Sequence, residues 1–154
     1  MISLIDINEG NYLTVANLQI GEDQRGFVAP PGRIMASAYA MRKSNARCWA
    51  FGYNGKIVGI GMVKDLTDEP PCYTIEQILV DINYQGKGIG RAALQMILDI
   101  LAEERRFDAV EVSVKKAALA SIALFAGAGF FDTGYTDPAT PDALVLRAEL
   151  NKQK

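Results

Sequence analysis

A glycine-rich stretch lies between an apolar run and a helical pattern near the middle of this chain. The stretch is Gln85-Gly86-Lys87-Gly88-Ile89-Gly90-Arg91, which follows the apolar run Ile78-Leu79-Val80. A strand, a glycine loop and a helix in this order point several free backbone N–H groups at one place, where the helix dipole adds about half a positive charge. The stretch therefore predicts an anion site, and phosphate is the usual ligand of such sites.

The spacing of the glycines narrows the choice of phosphate ligand. The stretch lacks the G-x-x-x-x-G-K-[ST] pattern of the NTPase P-loop, and Arg91 occupies the third glycine position of the dinucleotide pattern G-x-G-x-x-G. It fits Q/R-x-x-G-x-G/A through Gln85, Gly88 and Gly90, and so resembles the acetyl-CoA pyrophosphate loop of the GNAT superfamily of N-acetyltransferases. The alternative interpretation is an ordinary glycine-rich turn between a strand and a helix.

Composition limits the class of protein and its partners. The length of 154 residues predicts a single domain over residues 1–154, large enough to bury a core without a metal or disulfides. The net charge of −2 provides no basic field for nucleic acid and favours cationic over anionic small substrates. No apolar run approaches the roughly 18 residues of a spanning helix, and no signal peptide is evident, so we expect no membrane partner.

The chain contains no histidine, which removes the commonest general base and any histidine-based metal site. We therefore expect no metal. Cys48 and Cys72 lack the C-x-x-C spacing of redox and zinc motifs. They are expected to be reduced thiols in a cytoplasmic protein.

Hydrophobic periodicity predicts seven strands and four helices. The predicted strands cover residues 2–7, 48–53, 56–63, 73–80, 109–114, 130–135 and 143–150, and the helices cover 9–20, 33–42, 89–103 and 118–128. Asn54-Gly55 between two apolar runs predicts a type I′ hairpin turn. The order β-α-α-β-β-β-α-β-α-β-β describes an α/β protein whose mixed sheet carries helices on both faces. This is also the order of the GNAT acyltransferase fold, so the resemblance covers essentially the whole chain.

A second segment resembles the family motif N-x-x-A-x-x-L-Y-x-x-x-G-F. The matching residues are Leu124, Gly129 and Phe130. Ser121 replaces the Ala, which is a mild change, but Ala118 replaces the Asn and Phe125 replaces the Tyr. The resemblance implies that the Asn contacts the cofactor and that the Tyr protonates the leaving thiolate. Phe125 keeps the ring without that proton, so it is expected either to line the thioester site or to pack in the core.

The resemblance implies acetyl-CoA as co-substrate. Pantetheine would run beside the strand 73–80 like an added strand, admitted where this strand and the strand 109–114 splay apart. Backbone N–H groups near Leu79 and Val80 would stabilise charge on the thioester oxygen. The expected cofactor contacts are Ile78, Leu79, Val80, Gln85, Gly86, Lys87, Gly88, Ile89, Gly90, Arg91, Ala118 and Phe125.

An acetyl transfer to an amine also needs a base. An alkyl ammonium with a pKa of about 10.4 is only about one part in a thousand neutral near pH 7. Glu76 is the candidate, because alternation places it on the face of Ile78 and Val80, where desolvation would raise its pKa. The alternative is a solvated or ion-paired glutamate at a strand margin. Protonation of the leaving thiolate would fall to water, Tyr73 or Tyr84.

The acceptor is suggested by residues 22–29, which we call the flap. With residues 49–53, 58–59 and 73–84, the flap resembles the spermine/spermidine acetyltransferase subgroup. This implies a polyamine or another small primary amine, with Glu22, Asp23 and Phe27 as substrate-binding residues and with a homodimer common in the family. The alternatives are a protein, peptide or aminoglycoside acceptor, or a non-catalytic sensor of acyl-CoA.

Overall fold

The computed structural model describes residues 1–150 as seven strands and four α-helices. The strands are β1 (Ile2–Asp6), β2 (Arg47–Tyr53), β3 (Lys56–Leu66), β4 (Cys72–Val80), β5 (Ala109–Lys115), β6 (Phe131–Asp132) and β7 (Ala143–Glu149). The helices are α1 (Tyr12–Ala16), α2 (Pro31–Ala40), α3 (Ile89–Glu104) and α4 (Leu119–Gly127). The predicted order of elements, β-α-α-β-β-β-α-β-α-β-β, is confirmed.

The strands form one mixed sheet in the order β1-β2-β3-β4-β5-β7-β6. Only β4 and β5 are parallel neighbours; the other pairs are antiparallel. One apolar cluster contains Leu94 and Ile97 of α3 with Phe125 of α4. A second contains Val15 of α1 and Ile34 of α2. The predicted helices on both faces are therefore confirmed, and β4 lies in the middle of the sheet between them.

The β2–β3 connection is the predicted hairpin. Asn54 and Gly55 have φ values of 52° and 81°, and Tyr53 pairs with Lys56 across the turn. A type I′ turn requires positive φ at both central residues, which Asn and Gly adopt most readily. The local sequence therefore fixes the register of two strands that support β4.

The longest helix is α3, which has 16 residues and begins at Ile89 as predicted. Its buried face includes Leu94, Ile97 and Leu101, which follow the spacing of one helical side. Within residues 1–150, no helix is long and apolar enough to cross a membrane.

The first helix is much shorter than the predicted span of residues 9–20. Before it, the Asn8 side chain accepts the backbone N–H of Gly10 at 2.8 Å, and Asn11 Oδ1 accepts the N–H of Asn8 at 2.8 Å. Such local bonds compete with helix formation. After it, the N–H of Gln19 donates to the distant carboxylate of Asp81 at 2.9 Å. Tertiary contact therefore overrides apolar periodicity at this end.

Several other boundaries also differ from the prediction; α2, for example, lies two residues earlier than the predicted span 33–42. β3 and β4 extend toward each other as far as the pair Leu66 and Cys72, which shortens the predicted polar connection. β6 contains only two residues instead of 130–135, since Phe130 packs in the core and Gly134 has a φ of 77°. The flap, predicted to be a loop, contains a 3₁₀ turn at Glu22–Gln24.

The close approach of β3 to β4 generates a stability prediction. A Cβ at Gly59 would overlap the main-chain oxygen of Leu79 and would lie 2.6 Å from Cδ2 of Phe51. We expect Gly59→Ala to lower the free energy of unfolding by about 1–3 kcal/mol, because a strand must shift. Thermal denaturation would show this as a lower Tm, at roughly 2–4 °C per kcal/mol.

Gly26→Ala is the matched control for this substitution. A Cβ at Gly26 has no neighbour within 4 Å. Its effect should stay within about 0.5 kcal/mol, as for most surface changes. Equal Tm values for the two variants would contradict the packing described at Gly59.

Candidate functional site

The central feature of the site is an incomplete pairing between β4 and β5. The two strands pair only where Tyr73–Ile75 faces Val110–Val112. Beyond that point β5 continues along β7, while β4 runs on to Val80 with no further strand partner on its β5 side within residues 1–150. The predicted splaying of these strands is confirmed. It leaves main-chain groups of β4 open to an extended ligand.

A cleft occupies this gap and reaches both faces of the sheet. Its walls come from β4, β5, α4, the flap and the β6–β7 connection. The lining residues are Phe27, Val28, Ile75, Glu76, Gln77, Ile78, Val112, Ser113, Val114, Lys115, Ala118, Ser121, Leu124, Phe125, Thr140, Asp142 and Ala143. A cleft with lining residues from both faces of the sheet suits two reactants that approach from opposite sides.

A bulge in β4 positions Glu76 in this cleft. Val63 of β3 pairs with Ile75 and Met62 pairs with Gln77, so Glu76 is the extra residue of β4. A bulge of this kind interrupts the alternation of side chains along a strand. Ile75 and Ile78 consequently belong to the same side of the sheet, that of the α3 cluster.

The predicted position of Glu76 on the face of Ile78 and Val80 is therefore wrong. Both of those side chains pack against the α3 cluster. Glu76 instead accepts a hydrogen bond from Thr74 Oγ1 at 2.8 Å, and it is partly buried. No Lys or Arg among residues 1–150 forms an ion pair with Glu76, so the ion-paired alternative does not apply in this part of the chain.

The glycine loop, residues 85–91, begins five residues beyond the end of β4. Gly86 and Gly88 have φ values of 78° and 80°, in the left-handed region that favours glycine. Gly88 is the N-cap of α3, and the first N–H groups of this helix have no partner within the helix. Lys87 and Arg91 are exposed beside them. The loop therefore combines positive-φ glycines, free N–H groups and nearby positive charges, which are the features that an anion site requires.

The predicted cofactor residues separate into those at the loop and those in the cleft. Ile78, Ala118 and Phe125 line the cleft, whereas the Leu79 side chain is buried in the α1–α2 cluster. The main-chain oxygen of Leu79 faces Gly59 of β3, so the open side of β4 here is offered by the neighbouring residues Ile78 and Val80. These residues suit an extended thioester ligand with a pyrophosphate at the loop, because the open strand edge leads directly to the α3 N-terminus.

Phe125 both packs in the core and lines the cleft. Its side chain is only 4% exposed, and its ring meets that of Phe130 edge to face at a centroid distance of 5.2 Å. It also lines the cleft. A hydroxyl does occur nearby, because Ser121 lies one helical turn before Phe125 and lines the same cleft. Helical spacing is the sequence signal that could have assigned Ser121 to the site.

The two tyrosines considered as proton donors lie elsewhere. The hydroxyl of Tyr73 accepts the backbone N–H of Arg106 at 3.2 Å, at the end where β4 and β5 are paired. The Tyr84 ring packs edge to face against the Tyr53 ring, with a distance of 6.3 Å between the ring centroids. Neither ring lines the cleft, so the structure does not support either tyrosine as the proton donor.

Only one of the three predicted substrate-binding residues lies in the cleft. Phe27 lines the cleft, but Glu22 and Asp23 are exposed on the 3₁₀ turn and do not line it. Sequence reasoning missed Gln77 and Asp142, two polar residues of the cleft. The bulge brings Gln77 into the cleft, and the β6–β7 connection brings Asp142, so neither residue belongs to a recognisable motif.

No cysteine lines the cleft. Burial raises the pKa of Cys48 to about 11. Burial, reinforced by Glu111 and opposed by Arg147, raises the pKa of Cys72 to about 11. Both thiols are therefore protonated near pH 7, and the cleft offers no thiolate for a covalent acetyl-enzyme. Among residues 1–150, no group of three His, Cys, Asp or Glu side chains could hold a metal ion.

The sequence profile of the acetyltransferase (GNAT) family matches residues 14–130. This match covers more than half of the chain, and the chain belongs to that family. The fold supports the assignment, since the crystal structure of spermidine N-acetyltransferase from Vibrio cholerae with CoA and spermine superposes with a TM-score of 0.74. It is 15% identical, and the match covers 98% of this chain and 96% of that chain. At this identity the likeness shows the fold alone.

Two curated relatives match at higher identity. The ribosomal protein bS18-alanine N-acetyltransferase of Escherichia coli is 35% identical over 77 residues, which are 50% of this chain and 49% of the relative. N-alpha-acetyltransferase RimI of Mycobacterium tuberculosis is 33% identical over 100 residues, which are 62% and 61% of the two chains. The match thus spans about half to three-fifths of the length of these relatives.

The raised thiol pKa values predict slow alkylation of the native protein. We expect iodoacetamide to modify Cys48 and Cys72 on the order of a hundredfold more slowly at pH 8 than an exposed thiol with a pKa of about 8.5. Because the pKa is about 11 for both groups, the rate should rise about tenfold per pH unit up to pH 10. Peptide mass spectrometry would follow each site, with guanidinium-unfolded protein as the control. A rate that levels off near pH 8.5 would contradict the burial of these thiols.

Proposed function

We propose that this protein is an N-acetyltransferase that moves an acetyl group from acetyl-CoA to a primary amine. The observation that supports this most strongly is the unpaired edge of β4, which leads from the cleft to the glycine loop. An extended pantetheine arm can bond to this edge as an added strand does. The pyrophosphate can then accept from the backbone N–H groups of the loop and of the first turn of α3.

The proposed reaction is a direct attack on the thioester. The nitrogen lone pair of the neutral amine forms the new C–N bond to the acetyl carbon, the C–S bond breaks, and the sulfur leaves with its electron pair. The nitrogen then loses its second proton to become the amide, which balances the proton that the thiolate takes up. Main-chain N–H groups of β4 near Leu79 and Val80 stabilise the charge that develops on the carbonyl oxygen. The absence of a cysteine from the cleft favours this single transfer over a route through an acetyl-enzyme.

Glu76 is the proposed base. An alkyl ammonium must lose a proton before it attacks, and this costs roughly 4.6 kcal/mol at pH 7 for a pKa of about 10.4. The bulge places the Glu76 carboxylate in the cleft without an ion-pair partner among residues 1–150, so it is available to take that proton directly or through water. The Thr74 hydroxyl, which donates to it at 2.8 Å, orients the carboxylate.

The absence of a tyrosine at position 125 is tolerable in this scheme. A thiol has a pKa of about 8.5, so leaving as a thiolate at pH 7 costs only roughly 2 kcal/mol. Water can supply the proton, and the Ser121 hydroxyl in the same cleft is a second donor. The amine proton is therefore the larger demand, and Glu76 is the residue whose loss should matter more.

Two classes of amine have support as acceptors. A polyamine or another small cationic amine suits the Glu76 carboxylate, since the other carboxylate of the cleft, Asp142, lies 3.9 Å from the Lys115 ammonium; Glu22 and Asp23 are exposed on the flap outside the cleft. A peptide α-amino group is favoured by the two curated relatives, whose names describe N-acetylation of an alanine of ribosomal protein bS18 and N-alpha-acetylation. The classes differ chemically, because an α-amino group has a pKa of only about 8 and is easily deprotonated.

Release of free thiol from acetyl-CoA tests the proposal. The amine panel should include spermidine, spermine, an aminoglycoside and short peptides with a free amino terminus. Release that depends on one amine class supports the enzyme and identifies the acceptor. A rise in Tm with CoA but no release from any amine would support a non-catalytic sensor of acyl-CoA, and no rise in Tm would refute the proposed cofactor site.

Substitution of Glu76 should show how much of the rate depends on the proposed base and how much on the rest of the cleft. We expect Glu76→Gln to lower kcat/KM at pH 7 by about 10²–10⁴-fold for an alkyl amine. The loss of kcat/KM should be smaller for a peptide α-amine, since removing its proton contributes less to the activation barrier. The residual rate should rise with pH toward the pKa of the amine, because the base then comes from solution.

Asp142→Asn is the matched control for this experiment. Asp142 also lines the cleft, but it is exposed and lies 3.9 Å from the Lys115 ammonium. Its substitution should change the KM of a cationic amine and leave the pH profile of kcat in place. A loss of kcat from Asp142→Asn that equals or exceeds the loss from Glu76→Gln would contradict the assignment of the base.

A further inference from the structure

The flap and the residues just before it are hydrogen-bonded at three places to β4 and to the segment that leads from β4 through the glycine loop. Just before it, the N–H of Gln19 donates to Asp81 Oδ2 at 2.9 Å. At its far end, the N–H of Ala29 donates to Gln77 Oε1 at 3.3 Å. Between these, Gln85 Nε2 donates to Gln24 Oε1 at 2.8 Å. The middle contact joins the flap to the first residue of the glycine loop.

Gln24 extends this contact to the wall of the cleft. Its side-chain oxygen also accepts the N–H of Gly21 at 3.3 Å, within the 3₁₀ turn. Its main-chain oxygen accepts the N–H of Phe27 at 2.9 Å and that of Val28 at 3.2 Å. Phe27 and Val28 are the flap residues that line the cleft. One residue therefore links the glycine loop to this wall.

The Gln85 amide is held from a second direction as well. Its Nε2 also donates to the main-chain oxygen of Val80 at 2.9 Å, at the end of β4. Two acceptors fix the amide plane, so Gln85 donates to Gln24 from a defined position. A ligand that orders the glycine loop will hold Gln85 in this position and, through Gln24, will favour the present conformation of the flap.

We propose that Gln24 is a positioning residue that couples occupancy of the glycine loop by CoA to the order of the wall formed by Phe27 and Val28. This inference rests on the proposed function, because it takes the pyrophosphate of CoA as the ligand of the loop. A hydrogen bond between neutral groups changes an equilibrium by roughly twofold to tenfold, which sets the size of the coupling. Linkage makes the effect reciprocal, so an acceptor that packs on the wall raises the affinity for CoA by the same factor.

NMR-detected hydrogen exchange of the Phe27 and Val28 amides tests this coupling, with and without saturating CoA. In the wild-type protein, CoA should slow both amides by about threefold to tenfold. Gln24→Met keeps the length of the side chain but removes its acceptor, and CoA should then slow these amides by less than about twofold. Gln24→Glu retains an acceptor for Gln85 and Gly21 and should restore the response. Arg25→Met, an exposed neighbour paired only with Glu22 at 3.6 Å, should behave as wild type.

The Tm of each variant with CoA distinguishes a failure of the Gln24 coupling from a failure of the proposed cofactor site. If CoA raises the Tm of Gln24→Met and slows its flap amides as much as in wild type, the role of Gln24 is refuted while the cofactor site stands. If CoA binds the wild-type protein but leaves the exchange rates of the Phe27 and Val28 amides unchanged, the coupling is likewise refuted while the cofactor site stands. If CoA leaves the wild-type Tm unchanged, the proposed cofactor site fails and the coupling fails with it.

Discussion

The structure depends on the point where β4 stops pairing with β5. A strand in the middle of a sheet normally satisfies its main chain on both sides, but β4 does so only as far as Ile75. The next residue, Glu76, is the extra residue of a bulge against β3. The loss of pairing and the bulge therefore coincide, and together they convert the centre of a sheet into a cleft with a carboxylate in its wall.

This arrangement concentrates the functional groups on one strand and its extension. β4 carries Glu76, offers its open edge to a ligand, and leads to the glycine loop through the buried Asp81. The flap is hydrogen-bonded to Gln77 and Gln85, and Gln19 just before it is hydrogen-bonded to Asp81; all three partners belong to β4 or follow it closely. In the proposed enzyme, β4 thus positions the base, the thioester and the wall formed by Phe27 and Val28 relative to one another.

The sequence predicts the order of the elements, because α3 and the Asn54-Gly55 hairpin give strong local signals. It also predicts the glycine loop, whose positive φ values depend on residue type. It does not reveal the bulge at Glu76, because the extra residue is defined only by the register of β3. The Gln24–Gln85 contact and the early end of α1 are inaccessible for a related reason: each depends on residues about 60 positions apart.

The most direct test is a titration of ¹⁵N-labelled protein with CoA, followed by amide chemical shifts. CoA contains the pyrophosphate and pantetheine but cannot react, so the test is independent of the acceptor. If the cleft and the glycine loop form one acyl-CoA site, we expect the largest chemical-shift changes at the amides of residues 86–91 and of residues 77–80 on the open part of β4. Large shifts confined to another part of the molecule, or none at saturating CoA, would contradict the assignment of the cleft and the loop as one acyl-CoA site.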